Sequence, residues 1–176
     1  AMPDTYAETV KAKEVALQGA KKVVIRVFSE WAKRFGRKYG VVETYRAKDA
    51  ETLMLTMGSM GETAATAVDE MRKKGKKVGL VKLRLWRPFP VEEFKAAIAG
   101  CKTLVVMDRA LSTGGAGGPV ATDIKSILYG EKKKPRVLNV VAGLGGRDLT
   151  VGDFVNMFGL ANKKKNEIFE FYGVRE

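Results

Sequence analysis

The stretch at 76–90, KKVGLVKLRLWRPFP, constrains the fold more than any other part of the chain. It opens as an apolar run (Val78, Leu80, Val81) and becomes an alternation, with Leu83 and Leu85 on one side and Lys82, Arg84 and Trp86 on the other. That pattern predicts a largely buried strand whose far end reaches a polar rim. Arg87-Pro88-Phe89-Pro90 stops it, because proline gives no N–H to a ladder and pushes the preceding residue out of helical geometry. Two more strand candidates lie around it, 52–57 (TLMLTM) and 103–107 (TLVVM), and helical segments separate all three. The expectation is a βαβαβ sheet with this strand inside it.

The remaining segments extend the same alternation of elements. From Tyr6 to Arg37 there is no proline, and Val10, Leu17, Val24, Val27 and Trp31 recur at helical spacings with Phe28 and Phe35 extending the stripe. This predicts one long helix, or two broken near Gly19, ended by Gly36 and Gly40. VVETY at 41–45 reads as a short edge strand. After 52–57, Ser59 and Glu62 have the spacing of a capping box at the start of a helix with Ala64, Val68 and Met71 inward and Gly75 as its stop. A helix over 91–99 turns Phe94, Ala97 and Ile98 inward. Pro119 suits the first turn of a helix over 120–129. RVLNVV at 136–141 is the last strand, and Thr150 with Asp153 marks a final helix start, with Phe154, Met157, Phe158 and Leu160 on its apolar side. The expected division is an N-terminal helical extension (1–40), an α/β domain (41–161) and a charged, partly aromatic tail (162–176). The fold class expected is α/β: a three-layer α/β/α sandwich on a mostly parallel, mixed sheet of about five strands.

Composition narrows the chemistry. Histidine is absent, which removes His-based triads, His-ligated metals and an imidazole base. Cys101 is the only cysteine, so neither a disulfide nor an Fe–S or cysteine-rich zinc site can be built from this chain alone. No apolar run is long enough for a membrane span and no signal peptide is visible, so a reducing cytoplasm is the default. Ala1-Met2 reads as a remnant ahead of a start. The formal net charge of +12 makes nucleic acid or an acidic protein surface conceivable partners. Its basic residues fall in separate clusters at 21–22, 72–77, 132–134 and 163–165, beside expected helix ends and turns, where lysines are usually solvated.

Four loops follow strands of the expected parallel sheet: Gly58-Ser59, Arg87-Pro88-Phe89-Pro90, Asp108-Arg109 and Gly143 to Asp148. They should therefore gather on one edge, where open α/β sheets place a ligand or partner crevice. The first three have plainer alternatives: a helix cap, a rigid strand exit with Phe89 packed inward, a local ion pair. The glycine loop at 114–118, with Gly114 and Gly115, precedes a helix and can offer N–H groups to a phosphate, although Pro119 removes one donor; a flexible or partner-facing loop is the favoured alternative. Neither it nor Gly143-Leu144-Gly145-Gly146 has the spacing of a nucleotide loop. Arg147 beside Asp148 can bind an anion or carboxylate. No acid/base pair or activated nucleophile emerges, so no catalytic residue is assigned.

MGSMGETA at 57–64, VGLVKLRLWRPFP at 78–90, VVMDRALSTGG at 105–115 and VVAGLGGRDLT at 140–150 together resemble the pyruvate or 2-oxoacid:ferredoxin oxidoreductase family. They look like alpha-chain core domain II, which follows the pyrimidine-binding thiamine diphosphate domain. FGRKYGVVETYRAKDAETLMLTMGS at 35–59 looks like the approach to that domain. The resemblance implies a fold like the C-terminal domain of transketolase. It implies a holoenzyme that decarboxylates a 2-oxoacid, passes electrons through Fe–S clusters to ferredoxin and makes an acyl-CoA, using thiamine diphosphate, Mg and coenzyme A. No thiamine diphosphate motif of the GDG type and no cluster cysteines are present, so the resemblance transfers no catalytic residue.

The first expectation is thus a non-catalytic structural domain, inactive and binding no cofactor alone. Its partners are other domains and subunits of the oxidoreductase, with ferredoxin met through the holoenzyme and a homodimer permitted. The long helix before Gly36 packs against the rest of the alpha chain. The second is an anion-binding module holding the 3′-phosphate or pyrophosphate of coenzyme A near the glycine loop at 114–118 or near Arg147. The third, far behind, is a basic nucleic-acid binder.

Overall fold

Side-chain alternation sorts this chain into layers. A computed structural model describes residues 2–162 and 168–175. Its elements run α1 (Pro3–Phe35), β1 (Val42–Tyr45), β2 (Thr52–Thr56), α2 (Met60–Lys73), β3 (Val78–Leu83), α3 (Val91–Ala97), β4 (Thr103–Asp108), α4 (Pro119–Leu128), β5 (Arg136–Val141), α5 (Val151–Leu160) and β6 (Glu170–Phe171). The strands form one sheet in the order β1-β3-β2-β4-β5-β6. β1 is antiparallel to β3, and the pairs β2/β3, β2/β4, β4/β5 and β5/β6 are parallel.

Val81 and Leu83 point to one face of the sheet, where Leu53, Leu55, Leu104 and Val106 join them under Phe94 of α3 and Ile124 of α4. Val78 and Leu80 point to the other, with Met54, Val105 and Val140 under Val68 of α2 and Phe154 and Met157 of α5. This is the three-layer sandwich. Phe94 and Phe154 are fully buried, each stabilising the core by about 2–3 kcal/mol.

Several details depart from the sequence expectations. The 78–86 strand stops at Leu83, because Arg84 and Leu85 both donate to Val41 O and leave the ladder. β3 is interior but second from the edge; β2 and β4 form the centre. The tail contributes a sixth strand, β6, which pairs Val140 with Glu170 and Val141 with Phe171. α3 stops at Ala97. The expected Ser59 capping box does not form: Ser59 makes no side-chain cap, and Glu62 pairs at 2.6 Å with Lys82 Nζ. The box at Thr150 and Asp153 does form. The lysines at 163–165 lie outside the described residues.

α1 is a single helix of 33 residues through Gly19, closed by Gly36 in the left-handed region (φ 70°). None of its residues is buried. Lys21 ties it to Glu92 and Glu93 at the start of α3, and Phe28 meets the Tyr39 ring edge-on at 6.1 Å. Among the described residues no helix is long and apolar enough to cross a membrane.

Candidate functional site

Parallel pairing of β3, β2, β4 and β5 puts the loops after all four on the same edge, in that spatial order. The chain reverses its direction of travel between β2 and β4. In doubly wound sheets that reversal opens the ligand crevice, here bordered by Gly58-Ser59 and Asp108-Arg109.

Asp108 is not a partner of Arg109. Its carboxylate is buried and accepts from the backbone N–H groups of Val120 (3.0 Å) and Ala121 (3.1 Å) in the first turn of α4, and from Asn139 Nδ2 (3.0 Å). Asn139 Oδ1 in turn accepts from Gly118 N at 2.8 Å. Burial pushes the Asp108 carboxyl above its usual range, against the pull of those donors. A helix N-terminus favours a negative group, and here the protein supplies its own. The N–H donors that the sequence offered to a phosphate at this loop are therefore taken, which moves any anion site away from it. Gly114 and Gly115 remain at the exposed loop tip, where Gly115 N bonds Ser112 O.

Arg109 is exposed and reaches sideways, its Nε 3.4 Å from Gly143 O. That contact joins the ends of β4 and β5. Gly143, Gly145 and Gly146 all adopt left-handed φ (68°, 64° and 81°), a tight reversal that leaves Arg147 and Asp148 exposed. A small cavity of about 150 Å³ lies between this turn, Arg147 and Tyr172.

The strand exit is mostly structural. Pro88 and Pro90 are buried, and Phe89 packs edge-on against Phe94 at 5.3 Å. Arg87 alone faces outward; it stacks on Trp86 at 4.3 Å and pairs with Asp123 at 2.6 Å. Asp123 also accepts from Trp86 Nε1 at 2.8 Å. At the other border, the Lys82 stem lies across Gly61, and Thr56 Oγ1 is buried without a hydrogen-bond partner.

The fold thus brings Asp108, Arg109, Gly143 and the glycine loop together, while Ser59 and Arg87 stand apart along the same rim. Sequence reasoning missed Asn139 and Asp123. Asn139 carried a signal: an amide at an inward position of the apolar strand RVLNVV. Among the described residues no three His, Cys, Asp or Glu side chains converge as metal ligands. Cys101 is buried and donates to Thr103 O, and one such thiol does not fit a cluster site. Among the described residues the rim presents the exposed guanidinium groups of Arg87, Arg109 and Arg147.

Residues 50–154 match the family described as pyruvate:ferredoxin oxidoreductase core domain II. The chain belongs to that family. Core domain II is 37% identical here to the pyruvate synthase subunit PorA of Methanocaldococcus jannaschii over 177 residues, covering 99% of this chain and 44% of that protein. The PorA subunit of Pyrococcus abyssi is 39% identical over 93% of this chain and 41% of its own. The alpha subunit of NADH-dependent phenylglyoxylate dehydrogenase from Aromatoleum evansii is 38% identical over 85% of this chain and 36% of its own. The chain therefore spans less than half the length of these relatives. Its fold is shared with a 2-oxoglutarate:ferredoxin oxidoreductase from Magnetococcus marinus solved with 2-oxoglutarate, coenzyme A and succinyl-CoA bound (TM-score 0.51, 23% identity, 72% of this chain and 20% of that one). A split-gene transketolase, an inactive beta4 tetramer, matches with TM-score 0.52 at 16% identity over 71% of this chain and 43% of its own.

Proposed function

We propose that this chain is a non-catalytic, interface-building domain of the alpha subunit of a 2-oxoacid:ferredoxin oxidoreductase. Its holoenzyme would convert a 2-oxoacid, with pyruvate the leading candidate, to an acyl-CoA while reducing ferredoxin in the cytoplasm. Thiamine diphosphate, Mg, Fe–S clusters and ferredoxin are met by other domains and subunits. The observation that carries this reading is α1. A surface helix turns its apolar residues toward its own core, yet Val15, Val23, Ile25, Val27, Trp31 and Phe35 are exposed. A groove of about 470 Å³ between α1 and Tyr39–Val42 continues that surface. The chain spans under half of its relatives, so the rest of an alpha subunit is the natural cover. Near-equal identity to relatives named for pyruvate and for phenylglyoxylate supports placing substrate choice outside this domain.

The test is to co-express this chain with the remaining alpha-subunit segment and partner subunits. The expected result is co-purification and 2-oxoacid-dependent ferredoxin reduction only when all parts are present. Turnover, or tight thiamine diphosphate binding, by this chain alone would overturn the reading.

A second reading rests on Arg109 and the left-handed glycine turn before Arg147: this end of the rim meets a phosphate of coenzyme A. Calorimetry on the assembled enzyme decides it, since Arg147→Ala should weaken coenzyme A binding, and unchanged affinity removes the idea.

A further inference from the structure

The basic clusters that lie far apart in sequence converge at the edge of the sheet opposite the rim. Lys76 and Lys77 precede β3, Lys102 precedes β4, and Lys132, Lys133 and Lys134 precede β5. Strand order puts these starts side by side over β3-β2-β4-β5, a strip about 14 Å long at the usual strand spacing. Among the described residues Asp49, Glu51 and Glu131 interrupt it; Asp49 pairs with Arg72, Glu51 with both Lys77 and Lys102, and Glu131 with Lys95. Lys76, Lys132 and Lys133 make no ion pair among the described residues. Helix C-termini at this edge explain some of the lysines, but they do not explain the cleft beside them. Between the ends of α3 and α4 lies a cavity of about 540 Å³, with Ile98, Leu128 and Pro135 as its floor and Lys102, Lys133 and Lys134 at its rim.

We propose that this cleft and strip dock an acidic protein segment, whose apolar side chains enter the floor while its carboxylates meet the lysines. The charge is complementary, and a helix of about ten residues matches the length of the strip. A compact phosphate fits less well. The N–H groups of Cys101 and Glu131 are already bonded to Ile98 O and Leu128 O, so these backbone donors are spent, and lysine stems suit dispersed charge. Nucleic acid fits less well too, because Glu131 sits in the cleft wall and the exposed Tyr129 ring beside the cleft is covered on one face by Lys134, at 5.7 Å. The surface is separate from α1 and from the rim, so it stands or falls independently of the proposed role in the oxidoreductase.

The experiment titrates the full chain into a fluorescein-labelled peptide carrying Glu and Leu at helical spacing, with fluorescence anisotropy as the readout. Binding should weaken with salt. It should fall about tenfold or more in Lys102→Glu/Lys133→Glu/Lys134→Glu, and also when the peptide's leucines become serines. Lys11→Glu/Lys13→Glu/Lys22→Glu in α1 should leave it unchanged. Should the cleft variant lose its circular dichroism spectrum, Ala99→Glu, at an exposed position of the same lining, replaces it. Equal binding by the serine peptide, equal loss in the α1 control, or no loss in a folded cleft variant would overturn the proposal. So would displacement of the peptide by inorganic phosphate, or tighter binding of duplex DNA at the same lysines.

Discussion

Gly118 lies so close to Asp108 that a Cβ on the glycine would sit 2.2 Å from the carboxylate carbon. Gly117 stands in the same relation to Asn139, with a Cβ falling 2.4 Å from its Oδ1. The glycines are therefore spacers that admit an internal carboxylate to the N-terminus of α4. Gly118→Ala should cost about 3 kcal/mol through overpacking against a rigid network. Asp108→Ala should cost about 2–3 kcal/mol by leaving buried N–H groups unmatched. Urea unfolding measures both, and an unchanged midpoint for either contradicts this account.

Exposed apolar groups on α1 contribute little to the fold of the chain itself. Val27→Glu/Trp31→Glu should leave its unfolding free energy within about 0.5 kcal/mol of the parent. Co-purification with the complementary alpha-subunit segment should be lost. A large fall in the melting temperature of the isolated chain would mean that these residues serve this domain and not a neighbour.

The α5 cap carries a pH signature. The Thr150 side chain and backbone N–H hold the Asp153 carboxyl below its usual range. A depressed folded value means that its contribution is present above the unfolded pKa and is lost as pH falls through the folded one. Thr150→Ala should cost about 1 kcal/mol at neutral pH, and that difference should shrink as pH falls from the ordinary Asp value of about 4 through the lower folded one. Urea midpoints at neutral and acidic pH check it; a constant difference contradicts the capping role.

Burial pushes the Cys101 thiol up to about 11. Little thiolate exists near neutral pH, and the side chain is shielded. Labelling by a disulfide reagent should be slow in the native chain and complete after denaturation. Rapid native labelling would place Cys101 in a more open setting.

Much of this architecture was legible because period-two and period-3.6 patterns are local. The common rim followed from parallel pairing, and the inward positions of Phe94, Ile98, Phe154 and Met157 from their spacing. Failures came where distant partners competed. Lys82, on a neighbouring strand, draws Glu62 from the expected cap, and Val41 takes the N–H groups of Arg84 and Leu85 that would have prolonged β3. Asn139 is 21 residues from the N–H that it holds, so its role was hidden although its odd polarity was not. The lysine strip is likewise a product of strand order.

The sheet ends in β1, four residues long and antiparallel, on one side and in β6, two residues long, on the other. Such short margins give an incoming chain almost no ladder to extend. Self-association by strand addition into open-ended fibrils is therefore disfavoured, and growth of any larger particle falls to helix surfaces and charged loops.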